Sequence, residues 1–426
     1  MDIARVESAE ASGVNNRSLD WMNKGLWFPK DASKVVDFVR TVPNLFESVC
    51  SWPVMVVQED ALEHNIGMLA KFCESHRLHF APHGKTTMAP GIFSRQLAAG
   101  AWGITFATAH QVLVGRRFGV NHILLANELM DTAAIGWLVD ELVDDPEFEF
   151  ACFVDSVAGV HKIAEIAFER GLESGFPVLL DIGYVGGRTG IRTALEAYEL
   201  AELIDSTTGI RLVGVSAYEG GLPATDAVRS YFAVVREVVS ELQTRALLPA
   251  HPMLTAGGSA YFDLVADELG GGWAESLGLR VVLRSGAYVS HDEGIYKTKT
   301  PYNRMPGGEG LHAALEVWAQ VLSSPEPGLA IVGMGKRDAP YDLGMPTPLR
   351  VRREGSTDQE ALEHASIVKM DDHHGYLELA HGATPLQPGD LVCFGISHPC
   401  TAFDKWGQLI LVGADYSITD VFQTYF

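Results

Sequence analysis

Four short segments of the 426-residue chain carry side chains that could do chemistry. In HFAPHGKTTMAP, residues 79–90, an apolar run delivers His83, Gly84 and Lys85 into a polar turn. An amine fixed and desolvated in that position forms a Schiff base with a carbonyl. In LTAGGS, Thr255 is followed by Gly257, Gly258 and Ser259. Consecutive backbone N–H groups without side chains in the way suit a phosphate. In YVGGRTG, Arg188 can hold an anionic oxygen with a planar fork of donors. In GDLVCFGISHPCTAFDKW, residues 389–406, His398 and Cys400 stand two apart around a proline and can turn toward one point. Imidazole with thiolate is a good pair for zinc, and two protein ligands leave positions for water and substrate.

A lysine, an anion cradle and an arginine together suit pyridoxal phosphate. Each also has a plain structural use: a solvated lysine, a glycine turn, a salt-bridged arginine. His398 with Cys400 can equally be a turn beside a buried thiol. DDHHGYLEL offers His373 and His374 as a further ligand or acid–base, or as a polar hairpin tip.

These groups need elements to hold them. Apolar runs bounded by turn residues recur from LHFAPHGK through ITFATA (104–109), HILLAN (122–127), FEFACFVDS (148–156), FPVLLDIG (176–183), RLVGVSAYEG (211–220) and PMLTAGGS (252–259) to RVVLRSGAYV (280–289). Helical stretches such as VRSYFAVVREVVSELQTRA lie between them. Strands alternating with helices imply a parallel sheet, and eight of them close a TIM-type (β/α)8 barrel. An open doubly wound sheet competes, but no GxGxxG follows a first strand. In a barrel the site forms at the C-terminal ends of the strands. Residues there include His83 and Lys85, Asn127, Asp155, Asp181 and Arg188, Tyr218 and Glu219, the 257–259 turn, and Arg284, Ser285 and Gly286. From about residue 300, short runs with Gly/Pro turns (ASIVKM, YLELAHG, GQLILVGADY) read as a mostly antiparallel β domain. The expected division is an arm over 1–50 packing on either domain, a barrel domain over 51–298, and a β domain over 299–426.

Bulk properties exclude some partners. Net charge is 32 − 54 = −22, which repels phosphate backbones and anionic lipid, so neither nucleic acid nor membrane is expected. Five cysteines form no CxxC pair, and the opening residues are acidic where an export signal needs an apolar core. A reduced, cytoplasmic protein is the expectation.

PHGKTTMAP resembles the PH-x-KTH segment of D-threonine aldolases and D-serine dehydratases, pyridoxal phosphate enzymes of the alanine racemase fold. The resemblance continues in order through DIGYVGGRTGI, SAYEGG, LTAGGS, RSGAYVSHD and SHPCTAFDKW, over roughly residues 50 to 426. The HPC-x-x-FDKW ending is shared with the amino acid deaminase, or D-serine deaminase, branch. The resemblance implies that Lys85 forms the Schiff base with the cofactor and that Arg188 lies near its phenolic oxygen. It places Tyr218 beside the pyridine ring, with His83 and Thr255 among the cofactor contacts. Gly257, Gly258, Ser259, Gly286 and Ala287 become phosphate-binding turns. His398 and Cys400 become ligands of a divalent metal, zinc in the dehydratases, for which manganese or magnesium could substitute. Gly84 and Thr87 stand where relatives often carry a larger residue and a histidine, which bears on pocket shape.

The implied activity is dehydration of a D-3-hydroxy amino acid such as D-serine, D-threonine or D-phenylserine to a 2-oxo acid and ammonia. The implied assembly is a homodimer. A retro-aldol cleavage to glycine and an aldehyde is the alternative, although the aldolase branch usually has aspartate where this chain has Cys400. A non-catalytic pyridoxal phosphate carrier of the same barrel is a second alternative. Such carriers lack a C-terminal β domain.

Overall fold

FPVLLDI is apolar at nearly every position because a parallel strand is covered on both faces, and all seven residues are buried. The computed structural model describes residues 17–42, 44–47, 50–307 and 309–426. The chain forms two compact units. Strands β1 (Ser18–Leu19), β2 (Ser33–Lys34) and β3 (Val54–Gln58) come first. Then follow β4 (His79–Phe80), β5 (Ile104–Phe106), β6 (His122–Glu128), β7 (Glu149–Val154), β8 (Phe176–Ile182), β9 (Ile210–Ala217), β10 (Met253–Ala256) and β11 (Arg280–Leu283).

Strands β4 to β11 make the expected eight-stranded parallel sheet, in the order β4-β11-β10-β9-β8-β7-β6-β5. Its two ends meet at residues 80–83. Trp102 N–H donates to the Phe80 carbonyl (2.7 Å), Thr105 N–H to that of Pro82 (2.9 Å), and His83 pairs with Thr105 as a parallel bridge. Pro82 has no N–H to give, which is why β4 is short and its seam continues through side chains and carbonyls. Alternate residues fill the interior: Ala81, Leu124, Ala151, Phe153, Leu179, Met253 and Val282. Outside, helix Thr225–Thr244 buries Val228, Tyr231, Phe232, Val235, Val238, Val239 and Leu242, spaced three and four apart as one apolar stripe. Since the strands run parallel, the loops after them gather at one end.

The second unit is built on β12 (Leu315–Glu326), β13 (Leu329–Val332), β14 (Thr347–Arg352), β15 (Gln359–Ala361), β16 (Ala365–Met370), β17 (Gly375–Leu379), β18 (Leu391–Gly395), β19 (Gln408–Val412) and β20 (Ile418–Gln423). They form a mostly antiparallel ten-stranded sheet that also includes β3. Strand β3 pairs antiparallel with β12 and parallel with β19. VMVV therefore belongs to the β unit, not to the start of a barrel spanning 51–298. An apolar run announces burial on both faces but carries no record of its partners. The described arm residues Leu19, Leu26, Val35 and Phe38 share one core with Val54, Trp318, Ile410 and Val421, which assigns the arm to the β unit. Its first sixteen residues lie outside the described ones. No helix among the described residues is long and apolar enough to cross a membrane.

Candidate active site

Lys85 lies in the 3-10 turn Gly84–Thr86, just beyond β4, and is half-buried. The turn is pinned through His83, whose N–H donates to the Ser285 carbonyl (3.2 Å) and whose Nδ1 bonds the Thr105 carbonyl (3.2 Å). A ring nitrogen facing a carbonyl must carry the hydrogen, so Nε2 keeps the lone pair. Burial first, then the Lys85 and Arg284 charges, hold the His83 imidazolium well below its ordinary pKa. A neutral imidazole thus stands two residues before the amine.

Arg188 is presented by a loop closed on itself. Gly183 N–H donates to Ile191 O and Ile191 N–H to Asp181 O. Asp155 accepts the Gly190 N–H (3.0 Å), and Asp181 accepts the Thr189 hydroxyl (3.0 Å). Arg192 grips the carbonyls of Thr189, Gly190 and Gly187 at 2.5, 2.7 and 2.8 Å. The next helix, Ala194–Ser206, starts at a Thr193–Glu196 capping box, which fixes where this loop ends. So held, the Arg188 guanidinium lies 4.3 Å from the centre of the Tyr218 ring.

The glycine turn behaves differently from its sequence reading. Glu219 is fully buried, and its carboxylate accepts the N–H groups of Gly257 (3.1 Å) and Gly258 (2.7 Å). Those two donors are therefore engaged inside the barrel and do not point an open cradle at an anion. What the glycines provide is room. Gly257 has φ +95°, and a Cβ there would meet Leu283 at 2.2 Å; a Cβ on Gly258 would stand 3.5 Å from the Tyr218 ring. Thr255 is also committed: its hydroxyl donates to Val282 O (2.9 Å) and accepts from Arg284 (2.8 Å). Arg284 reaches on to the Ala217 carbonyl (2.8 Å). The turn of Arg284 and Ser285 is tied to Gly257 and Gly258 by Arg284 N–H to Gly257 O (3.3 Å) and Ser285 Oγ to Gly258 O (3.1 Å). Ser259, Gly286 and Ala287, all buried, complete these two turns.

Glu128, at the end of β6, escaped the sequence reading. Burial first, then the Asp181 and Asp155 charges, push its carboxyl up to about 7, and Oε1 has no hydrogen-bond partner. The fold favours the protonated form, so the stability it contributes is whole below the ordinary value of 4.5 and is lost as pH rises through about 7. Glu128→Gln should abolish this part of the alkaline decline. Melting curves taken between pH 5 and 8 are expected to diverge by about 2–4 °C in favour of the variant at the upper end. Parallel curves would contradict the assignment.

In the β unit, Ser397–Phe403 brings the second pair together. The neighbouring Cys400 thiol, the largest cause, and a bond to Asp342 raise the pKa of the His398 ring to about 9 against its burial. That bond, Nδ1 to Asp342 Oδ2, measures 2.6 Å. Thr401 Oγ1 donates to the other Asp342 oxygen (3.0 Å). Cys400 Sγ lies 3.6 Å from the hydroxyl of Thr86, the residue that follows Lys85 in the chain. Asp292 is pushed up to about 6 by burial, opposed by three backbone N–H bonds and by the His398 charge; its Oδ2 has no partner. Imidazole, thiol and nearby carboxylates are a donor set for a borderline divalent cation.

His373 and His374 take no part. They form the tip between β16 and β17, where His374 O accepts the Asp371 N–H (2.8 Å) and His373 is largely exposed. Another trio, His64, Glu309 and His312, brings donor atoms within 4.8 Å of one another. Its two imidazoles stack 4.0 Å apart and 7° from parallel. Their in-plane lone pairs run side by side and do not converge on one ion.

Comparison with known proteins agrees with this architecture. A family model described as "Alanine racemase, N-terminal domain" matches residues 57–268, and one described as "Putative serine dehydratase domain" matches residues 314–412. The chain is 24% identical over 357 residues to 3-hydroxy-D-aspartate aldolase of Paracoccus denitrificans (strain Pd 1222), covering 80% of this chain and 83% of that protein. It is 27% identical over 259 residues to D-threo-3-hydroxyaspartate dehydratase of Delftia sp. (strain HT23), covering 54% of this chain and 66% of that one. The solved structure of D-threonine aldolase from Filomicrobium marinum has the same fold, with a TM-score of 0.72 at 22% identity over 88% of this chain and 95% of that one.

Proposed function

The chain belongs to the D-serine dehydratase and D-threonine aldolase-like family of alanine racemase-fold enzymes, and from that premise we propose that it is a metal-assisted pyridoxal phosphate dehydratase. Its substrate would be a D-3-hydroxy amino acid such as D-serine, D-threonine or D-phenylserine, and its products a 2-oxo acid and ammonia. The observation that carries this reading is the His398–Cys400 donor pair on one short segment, with the Thr86 hydroxyl 3.6 Å from the thiol and Asp342 bonded to the imidazole.

Pyridoxal phosphate, when bound, supplies an electron sink for charge developing at the substrate Cα, and a divalent cation supplies Lewis acidity at the β-hydroxyl. Lys85 would hold the cofactor, yield it to the substrate amine, and then take the Cα proton on Nζ. Neutral His83 adds no second positive charge beside that amine. Arg188 would meet the phenolic oxygen while resting on Tyr218. Ser259, Gly286 and Ala287 would take the phosphate, with Gly257 and Gly258 giving it space. His398 and Cys400 would hold the cation, zinc by ligand softness, with manganese or magnesium as substitutes. Hydroxide is a poor leaving group at neutral pH, and this is the task that gives a metal its place here.

Cleavage to glycine and an aldehyde is the second reading, favoured by the aldolase names of two of the similar proteins. The thiol at position 400 favours dehydration. Incubation with D- and L-serine, threonine, phenylserine and 3-hydroxyaspartate separates them. Oxo acid and ammonia from the D-isomers are expected. Glycine with an aldehyde would replace the dehydratase by an aldolase, and no turnover of any member would point to a cofactor carrier.

A further inference from the structure

We propose that Asp342, assisted by Thr401, is a positioning residue that selects which nitrogen of His398 faces the metal. The inference rests on the metal reading above. Asp342 lies 56 residues before His398, in the YDLGM loop. Its Oδ2 stands 2.6 Å from His398 Nδ1, and Oδ1 accepts the Thr401 hydroxyl at 3.0 Å. A carboxylate only accepts, so Nδ1 carries a hydrogen and Nε2 is the nitrogen the ring can offer a metal. This is the arrangement by which a carboxylate orients a metal-bound histidine and raises its basicity.

The loop bearing Asp342 is itself fastened to the ligand segment. Ser397 Oγ donates to the Gly344 carbonyl at 2.5 Å, one residue from His398 and two from Asp342. Thr401 lies one residue past Cys400, and its Oγ1 is also 3.1 Å from His398 Nδ1. Ordinary exposed ion pairs contribute little. Here one carboxylate uses both oxygens on two residues that flank or form the donor pair, which ties its value to ring orientation more than to stability.

The test measures metal affinity directly. Wild type and variants, stripped of metal and loaded with pyridoxal phosphate, compete for Zn2+ against a chromophoric chelator. Asp342→Asn is expected to weaken Zn2+ binding about 10- to 100-fold. Thr401→Val, which leaves the carboxylate in place, should cost less, and Asp342→Glu should recover part of the loss. Melting temperature and the visible cofactor band should stay at wild-type values throughout. In Co2+-loaded protein the thiolate charge-transfer band should persist in Asp342→Asn, because Cys400 is untouched. In 15N-histidine spectra of the Zn2+-loaded proteins, His398 should show a metal-bound Nε2 and a protonated Nδ1 in wild type and lose that bias in Asp342→Asn. Zn2+ affinity within twofold of wild type in both Asp342→Asn and Thr401→Val overturns the positioning role. A wild-type protein that binds no divalent cation overturns the metal reading itself, and this inference with it.

Discussion

Lys85→Ala should lose both the visible absorption of bound pyridoxal phosphate and at least about 10³-fold in turnover, since one amine is asked to be carrier and general base at once. Borohydride reduction followed by peptide mass mapping should place the cofactor on the 79–90 segment in wild type and nowhere in the variant. The local geometry explains why the effect should be large. His83 is engaged with Thr105 and Ser285 and held neutral, so it is poorly placed to replace the amine. Small exogenous amines should restore part of the turnover while leaving the mapped adduct absent. An unaltered band in Lys85→Ala would move the attachment to another lysine and remove the basis for the mechanism.

The barrel was legible because a parallel sheet leaves a strong trace. Runs such as FPVLLDI and FACFV are buried on both faces, and each ends in polar or glycine residues that the parallel arrangement collects at one end. Strand β3 leaves the same trace outside the barrel, since VMVV is as apolar as a barrel strand but lies between β12 and β19. Lys85, Arg188 and the His398–Cys400 pair stood out as reactive types in short motifs. The glycine turn was legible as a turn and not as a set of occupied donors, because Glu219 closes on Gly257 and Gly258 from 38 and 39 residues away. Asp342 left no local signal at all. Its partner is 56 residues distant, and a single aspartate in an aperiodic loop looks like any solvated charge. Arg284 was seen only as the residue after a strand; its anchoring by Thr255 and Ala217 belongs to tertiary structure. Motifs report residues that do chemistry, whereas the groups that orient them come from elsewhere in the fold.

Cys400→Ala should separate the two halves of the mechanism. The barrel groups are untouched, so the visible cofactor band should remain, while turnover of D-serine falls about 10³-fold, the worth of several kcal/mol of Lewis-acid stabilisation at a departing hydroxide. A chelator should reproduce that loss in wild type and add nothing to the variant. Readdition of Zn2+ should restore wild type alone. Cys400→Asp keeps a donor but hardens it, and should shift the preferred ion from zinc toward manganese or magnesium. If that variant releases glycine and an aldehyde in place of oxo acid, position 400 selects between the two outcomes. Full activity of Cys400→Ala in the presence of chelator would mean that hydroxide leaves without a metal. The proton donor would then have to be sought among the buried carboxyls of the same unit, Asp292 first, since burial pushes it up to about 6 and its Oδ2 is unpaired.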